Sequence, residues 1–481
     1  MQTMSFNDFH PAPGLLVEWA VSPRTADIAR TAPPDPVPTS YNQQLHLQSA
    51  QAAALMGQPG NPWIGATFDV EGAADLDALE TAFTGWLQRH EALRSGFRQR
   101  PGGIERFTLG VEQISLARHA EEVSCPKALH DQLDERFLTG TDPFNWPPLV
   151  LGVISRPGGS TVFVAMDHVC GDGYSLAFAI WELQSLYEAA VEHREVTLPE
   201  IGSYLEHCTE ERQRGEAIDP ADPVVAQWRE FVGRCGGTTP TFPLHLGVEP
   251  GQVWPQSLFD RVVASAKDAE AFEEVCVAAG GSFFAGLLTA MGIAVREVAG
   301  TEEFRTITPV HTRYKHRWRT SMGWFITCAP LEFSLAGATG FRDVLPRANA
   351  TARNAMRLSR YPAARVIELL GSDFTITRRD LFSMVSYTDY RQMPGAERYE
   401  QWNPVTIGEV NVADDSHVWA SRNHEGLHLG IRHPDTPSAE RVLTEYTETL
   451  AEVFSRVATT GDYPLAPSWA CRPMPGLLVN A

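Results

Sequence analysis

Residues 161–175 read TVFVAMDHVCGDGYS, and the join inside this stretch decides the architecture. Thr161 to Met166 is an apolar run rich in valine. It follows a second such run, Pro148 to Ile154, across the turn Arg156-Pro157-Gly158-Gly159, so the two read as a β-hairpin of buried strands. From Tyr174 to about Ala190 the pattern changes period: Leu176, Ile180, Leu183 and Tyr187 recur at three- and four-residue steps and line the inner face of a helix. Between strand and helix stand His168, Gly171, Asp172 and Gly173. The two glycines allow a tight loop with unusual backbone angles, which turns the imidazole of His168 from the sheet edge toward a cleft. Asp172 lies at the mouth of the helix, where a carboxylate is also a natural N-terminal cap.

Working outward, Trp63 to Val70 reads as a strand and Asp75 to His90 as a helix burying Leu76, Leu79, Phe83 and Leu87. Residues 1–60, with TAPPDPVPTSYNQQ, read as an irregular lead-in. A polar helical stretch from Ser203 to Arg234 separates this α/β unit from a second one. The latter opens on a strand near Ser257 and continues with an apolar helix from Phe283 to Val298. Strands are expected at Phe304 to Pro309, Gly323 to Phe333 and Phe382 to Tyr387, then a strand and helix at His428 to His433 and Pro437 to Val457. The class is α/β, in two lobes divided near residue 215 (1–215 and 216–481), with a cleft between them as the place for a small-molecule site.

The 481 residues are 43% hydrophobic and 20% charged, enough to bury large cores. A net charge of −20 argues against nucleic acid as a partner, because phosphate contacts need a surplus of Lys and Arg. The seven cysteines, at 125, 170, 208, 235, 276, 328 and 471, form neither a disulfide framework nor a CxxC pattern, which fits a reducing cytoplasm. The first twenty residues lack a secretory pattern, and the longest apolar run, Phe283 to Val295, is too short to span a bilayer, so no integral membrane segment is expected.

Three readings compete at residues 167–172. Asp167, His168, Cys170 and Asp172 include metal-ligand types, but a strand end and a short loop rarely converge four of them, so no metal is expected. Cys170 is a nucleophile or, more simply, a buried inert thiol. His168 is a proton acceptor or a satisfied structural histidine.

The wider sequence resembles a family. RHEALRSGF, DHVCGDG, TPVHTR at 308–313, SMGWFITCAP at 321–330 and SMVSYTDY at 383–390 occur in the order found in condensation enzymes. These include the condensation domains of nonribosomal peptide synthetases and the polyketide-synthase-associated acyltransferases. PAPGLLVEWAVSP and SYTDYRQMPGAE look most like the second group, which esterifies sugars and lipid alcohols. The resemblance implies two chloramphenicol-acetyltransferase-like lobes forming a V, with the histidine midway along a tunnel. His168 matches the family's catalytic histidine, Asp172 and Gly173 complete the HxxxDG motif, and Arg313 matches an arginine of the second lobe and is the expected structural partner of Asp172. Two departures stand out: Asp167 replaces the first histidine of HHxxxDG, and the DFGWG motif of peptide-forming domains has no counterpart near Gln401 to Asp415.

The activity implied is transfer of an acyl group from a coenzyme A or carrier-protein thioester to a sugar, lipid or polyketide alcohol. His168 is the general base, and no bound cofactor is needed. Backbone N–H groups of Gly171, Asp172 and Gly173 are the expected oxyanion donors. Arg313, Lys315, His316, Arg317 and Arg319 put five basic side chains within seven residues of an acidic chain. Lys315, Arg317 and Arg319 are therefore candidates for the anionic donor, the alternative being a solvated loop that balances local acid. An amide-forming condensation enzyme and an inactive carrier-protein scaffold are the other functional readings, and the chain is expected to be a monomer.

Overall fold

The computed structural model describes residues 1–57, 63–249 and 251–466; Cys471 lies outside them. The chain forms two compact units. The first contains 1–217 together with 312–326 and 392–410; the second contains, among the described residues, 218–311, 327–391 and 411–466. A cut at residue 215 assigns both returning segments to the second lobe, whereas their contacts place them in the first unit.

The first unit is built on a seven-stranded mixed sheet in the order Gln2–Ser5, Val405–Gly408, Ile64–Val70, Ser160–Met166, Leu149–Ser155, Gly14–Val21, Leu116–Val123. Ser160–Met166 is central and buried at every position, as its unbroken apolar sequence requires. The helix Pro126–Gly140 covers the sheet with Leu129, Leu133 and Phe137, which are fully buried with Phe163, Ala165 and Trp63. The helix Gly173–Val191 (here α2) packs on Ile64–Val70 and along the helix Leu76–Arg89.

The first sixty residues depart from the irregular reading. GLLVEWAV at Gly14–Val21 is an inner strand between Leu149–Ser155 and Leu116–Val123. The helix Tyr41–Leu55 (α1) follows the proline-rich stretch and is started by a capping box, in which Ser40 accepts from the Gln43 N–H and Gln43 accepts from the Ser40 N–H. The polar stretch after α2 divides into the helix Tyr204–Glu216 (α3) and the helix Pro223–Arg234.

The second unit holds another seven-stranded sheet, in the order Ile326–Ser334, Glu303–His311, Met384–Asp389, His417–Arg422, Gly426–Pro434, Trp254–Ser265, Val412–Ala413. Its apolar helix Phe283–Ala299 is buried almost throughout, packed against the helices Ala266–Ala278, Phe341–Leu358 and Pro437–Thr460. That burial accounts for its composition. Among the described residues no single helix is long and apolar enough to cross a membrane.

Candidate active site

The loop after Ser160–Met166 is held by its own backbone before any side chain contributes. The Asp167 N–H donates to the Pro148 carbonyl at 3.0 Å, the Cys170 N–H to the Asp167 carbonyl at 3.0 Å, and the Gly171 N–H to the His168 carbonyl at 3.2 Å. Neither Gly171 nor Gly173 has a positive φ, so unusual backbone angles are not their role. A Cβ on Gly171 would lie 2.9 Å from that of Ser175 and 3.3 Å from the Met166 sulfur, so glycine is there for close packing. Gly173 is exposed at the start of α2 and faces open space.

His168 is partly exposed. Its Nδ1 lies 3.1 Å from the Gly171 carbonyl oxygen. A carbonyl only accepts, so Nδ1 carries the proton and Nε2 keeps its lone pair. The ring stacks on Trp324, with centroids 4.7 Å apart and planes at 26°. Burial, and then the neighbouring His46, hold its pKa below the ordinary value, outweighing the pull of Asp167 and Asp172. The imidazole is therefore neutral near pH 7.

Asp172 is the N-cap of α2: its Oδ1 accepts from the Ser175 N–H at 2.8 Å and hydroxyl at 2.9 Å. Arg313 meets it as a fork, Nη1 to Oδ2 at 2.7 Å and Nη2 to Oδ1 at 3.0 Å, and the Phe325 N–H donates to Oδ2 at 2.9 Å. The carboxylate is 0% exposed and the guanidinium side chain 3%. Burial alone pushes the Asp172 carboxyl up, but the charge and hydrogen bonds of Arg313, with those of Ser175, overcome it and leave the group below the usual aspartate range. The sequence places Arg313 in the second lobe; the structure places it in the first unit, so the pair joins two segments of one body instead of two lobes.

Two further motif blocks, RHEALRSGF and SMGWFITCAP, pack on α2 and its cap. His90 of RHEALRSGF is buried against Glu182 of α2, which also takes Arg89 at 3.2 Å, while the Met322 N–H of SMGWF donates to His90 Nδ1 at 3.3 Å. Gly323 has φ +146°, and a Cβ there would meet the Tyr204 ring at 2.3 Å; its carbonyl accepts from the Ser175 hydroxyl at 3.0 Å. Residues 323–325 are thus a loop, not the start of a strand, and Trp324 sits on His168 because of it.

The four candidate ligands do not converge. Asp167 turns to His46, Asp172 to Arg313, and burial keeps the Cys170 thiol well above its ordinary pKa, so it is protonated and a poor nucleophile. Within the basic island, Lys315 pairs with Glu206 and Glu210 of α3, and Arg317 with Glu206, so local acid meets both charges. Arg319 and His316 are exposed, with no carboxylate partner among the described residues. A cavity of ≈ 220 Å³ lined by Glu18, Trp19, Arg136 and Trp146 has none of these residues in its lining. Two neighbours of His168, His46 and Trp324, were not legible as site residues: the first stands in the polar lead-in and the second inside an apolar motif.

The condensation-domain family model matches residues 43–415. Over 469 residues the chain is 28% identical to 2'-acyl-2-O-sulfo-trehalose (hydroxy)phthioceranyltransferase PapA1 of Mycobacterium tuberculosis, covering 96% of this chain and 89% of that protein. It is 27% identical over 467 residues to acyltransferase PapA3 of the same species, covering 95% and 97%. A solved structure of PapA2 acyl transferase superposes with a TM-score of 0.88 at 24% identity, over 95% of this chain and 100% of that one. The first condensation domain of the calcium-dependent antibiotic synthetase gives 0.66 at 15% identity, over 89% and 98%; these likenesses establish the mixed α/β fold. With the family model spanning the histidine loop and the Arg313 segment, the chain belongs to the condensation-domain family and is one of its acyltransferases.

Proposed function

We propose that the chain is an O-acyltransferase in which His168 activates a sugar or lipid hydroxyl for attack on an acyl thioester of coenzyme A or a carrier protein. The observation that carries this reading is an imidazole whose Nδ1 is fixed by the Gly171 carbonyl, leaving Nε2 to take a proton, with burial favouring its neutral form. Sugar acceptors are favoured because two relatives, PapA1 and the trehalose-2-sulfate acyltransferase PapA2, are named for trehalose derivatives.

In the proposed reaction the acceptor oxygen attacks the thioester carbonyl as its proton passes to His168 Nε2. The tetrahedral oxyanion collapses, the carbon–sulfur bond breaks, and the thiolate leaves with the proton returned by the imidazolium. No acyl-enzyme forms and no cofactor is required. The Gly171 N–H is already spent on the His168 carbonyl, so among the loop amides we assign the oxyanion to the first turn of α2, where Gly173 is exposed and unobstructed. For the donor phosphates, Arg319 and His316 are better placed than Lys315 and Arg317, whose charges are already met.

The test incubates the protein with acyl-CoAs of graded length and a panel of sugar alcohols and amines, following free thiol and product mass. Ester products with thiol release are expected. Amide products, or none, would replace this reading by the condensation or scaffold alternatives.

A further inference from the structure

Asp167, where the family motif has its first histidine, is 1% exposed and is not left alone. His46 Nε2 lies 2.9 and 2.8 Å from its two oxygens, and the Val169 N–H donates to Oδ1 at 2.8 Å. One turn earlier on α1, Gln43 donates from Nε2 to the Val169 carbonyl at 2.9 Å. Residues at i and i+3 of one helix therefore grip both sides of the loop that carries His168. His46 also meets the edge of Trp324, with centroids 5.2 Å apart and planes at 84°, while Trp324 gives its face to His168. The two imidazole centroids are themselves 6.3 Å apart, so the three rings form one triangular cluster.

We infer that His46 and Asp167 form a positioning pair for the His168 ring, with α1 supplying the imidazole that the motif lacks at residue 167. Asp167 without a partner would be a buried carboxylate with one backbone donor, which is a costly state. His46 supplies the second donor and fixes Trp324, and Trp324 fixes the plane of His168. The inference rests on His168 being the base. The charged and titratable groups acting on His168 are His46 from α1 and Asp167 and Asp172 from its own loop, the last paired with Arg313. His46 and Asp167 act on its proton affinity in opposite directions, the first lowering and the second raising it.

The experiment compares His46→Gln and Asp167→Asn with the unaltered enzyme. Each is expected to lower kcat by about 10- to 100-fold through misplacement of the ring, with KM for the thioester little changed. A purely structural role could do the same, so the deciding readout is the pH dependence of His168 itself. It is measured without substrate as the rate at which diethyl pyrocarbonate modifies the His168-bearing peptide. The midpoint moves up in His46→Gln and down in Asp167→Asn, each by on the order of half to one unit. Either variant decides the sign if the other fails to fold. Midpoints that stay put, or move together in one direction, overturn the pair while leaving the base intact. Full turnover by His168→Ala overturns the base instead, and the two failures are told apart because the modification assay needs no turnover.

Discussion

Replacing Asp172 by asparagine keeps the helix cap but removes one charge and turns the oxygen that accepts from Arg313 and the Phe325 N–H into a donor, which makes it a sharp probe of the site's architecture. Asparagine caps a helix as well as aspartate does, so the bond to the Ser175 N–H survives and α2 keeps its start. What is lost is the counter-charge of Arg313, a side chain 3% exposed whose Nη1 and Nη2 both point at the carboxylate. A buried ion left without its partner typically costs about 3–5 kcal/mol. In a unit of this size that lowers Tm by roughly 6–20 °C. Asp172→Ala should fall about 1 kcal/mol further, because the cap goes as well. Asp172→Asn combined with Arg313→Met should recover part of the loss, since the orphaned charge is then gone. The pH dependence follows from the same pair: the folded carboxyl lies below its ordinary value of 3.8, so the stabilisation is complete above that value and disappears as pH falls through the lower, folded one. The measurement is thermal unfolding of the four proteins, followed by circular dichroism across pH. An unchanged melting temperature for Asp172→Asn would refute the reasoning, since the buried guanidinium would then have needed no partner.

His168→Ala should behave differently, lowering kcat by about 10²–10⁴ while stability changes by less than about 1 kcal/mol, as measured by thiol release and thermal melting. The lowered pKa of His168 predicts that the acid limb of kcat/KM falls below the ordinary histidine value of 6.5, so activity persists into mildly acidic buffer; a limb above that value would contradict the burial argument. Arg319→Glu should raise KM for acyl-CoA with kcat unchanged, and added salt should imitate it. Arg317→Glu should instead act locally by repelling Glu206, and a KM indifferent to both Arg319 and salt removes the island from donor binding.

The central hairpin, the helix that follows it and the helix Leu76–Arg89 were legible because each carries an unbroken period: all-apolar in Ser160–Met166, three- and four-residue steps in the helices. His168 and Asp172 were legible because glycines and a cap stand where strand becomes helix. α1 was not. Its sequence YNQQLHLQSAQ has no clean apolar stripe, and one of its buried residues, Gln43, is polar and held by hydrogen bonds, so periodicity passes over it. The Ser40–Gln43 capping signal was available but lay behind a run of prolines. Gly14–Val21 was hidden in the same way, although its apolar residues suit an inner strand. The partners of Lys315 and Arg317 are on α3, about a hundred residues earlier in the chain, and no local rule of spacing reaches that far.

The return of 312–326 and 392–410 to the first unit sets the order in which this enzyme can be finished during synthesis. When residue 217 leaves the ribosome, the histidine loop and α2 exist, but Asp172 faces no guanidinium, His168 has no indole beneath it, and Gln2–Ser5 lacks its neighbour Val405–Gly408. About a hundred further residues must be translated before Arg313 and Trp324 arrive. Residues 1–217 therefore hold only part of the histidine site, and no two-piece expression split at residue 217 would yield a complete one from its first half.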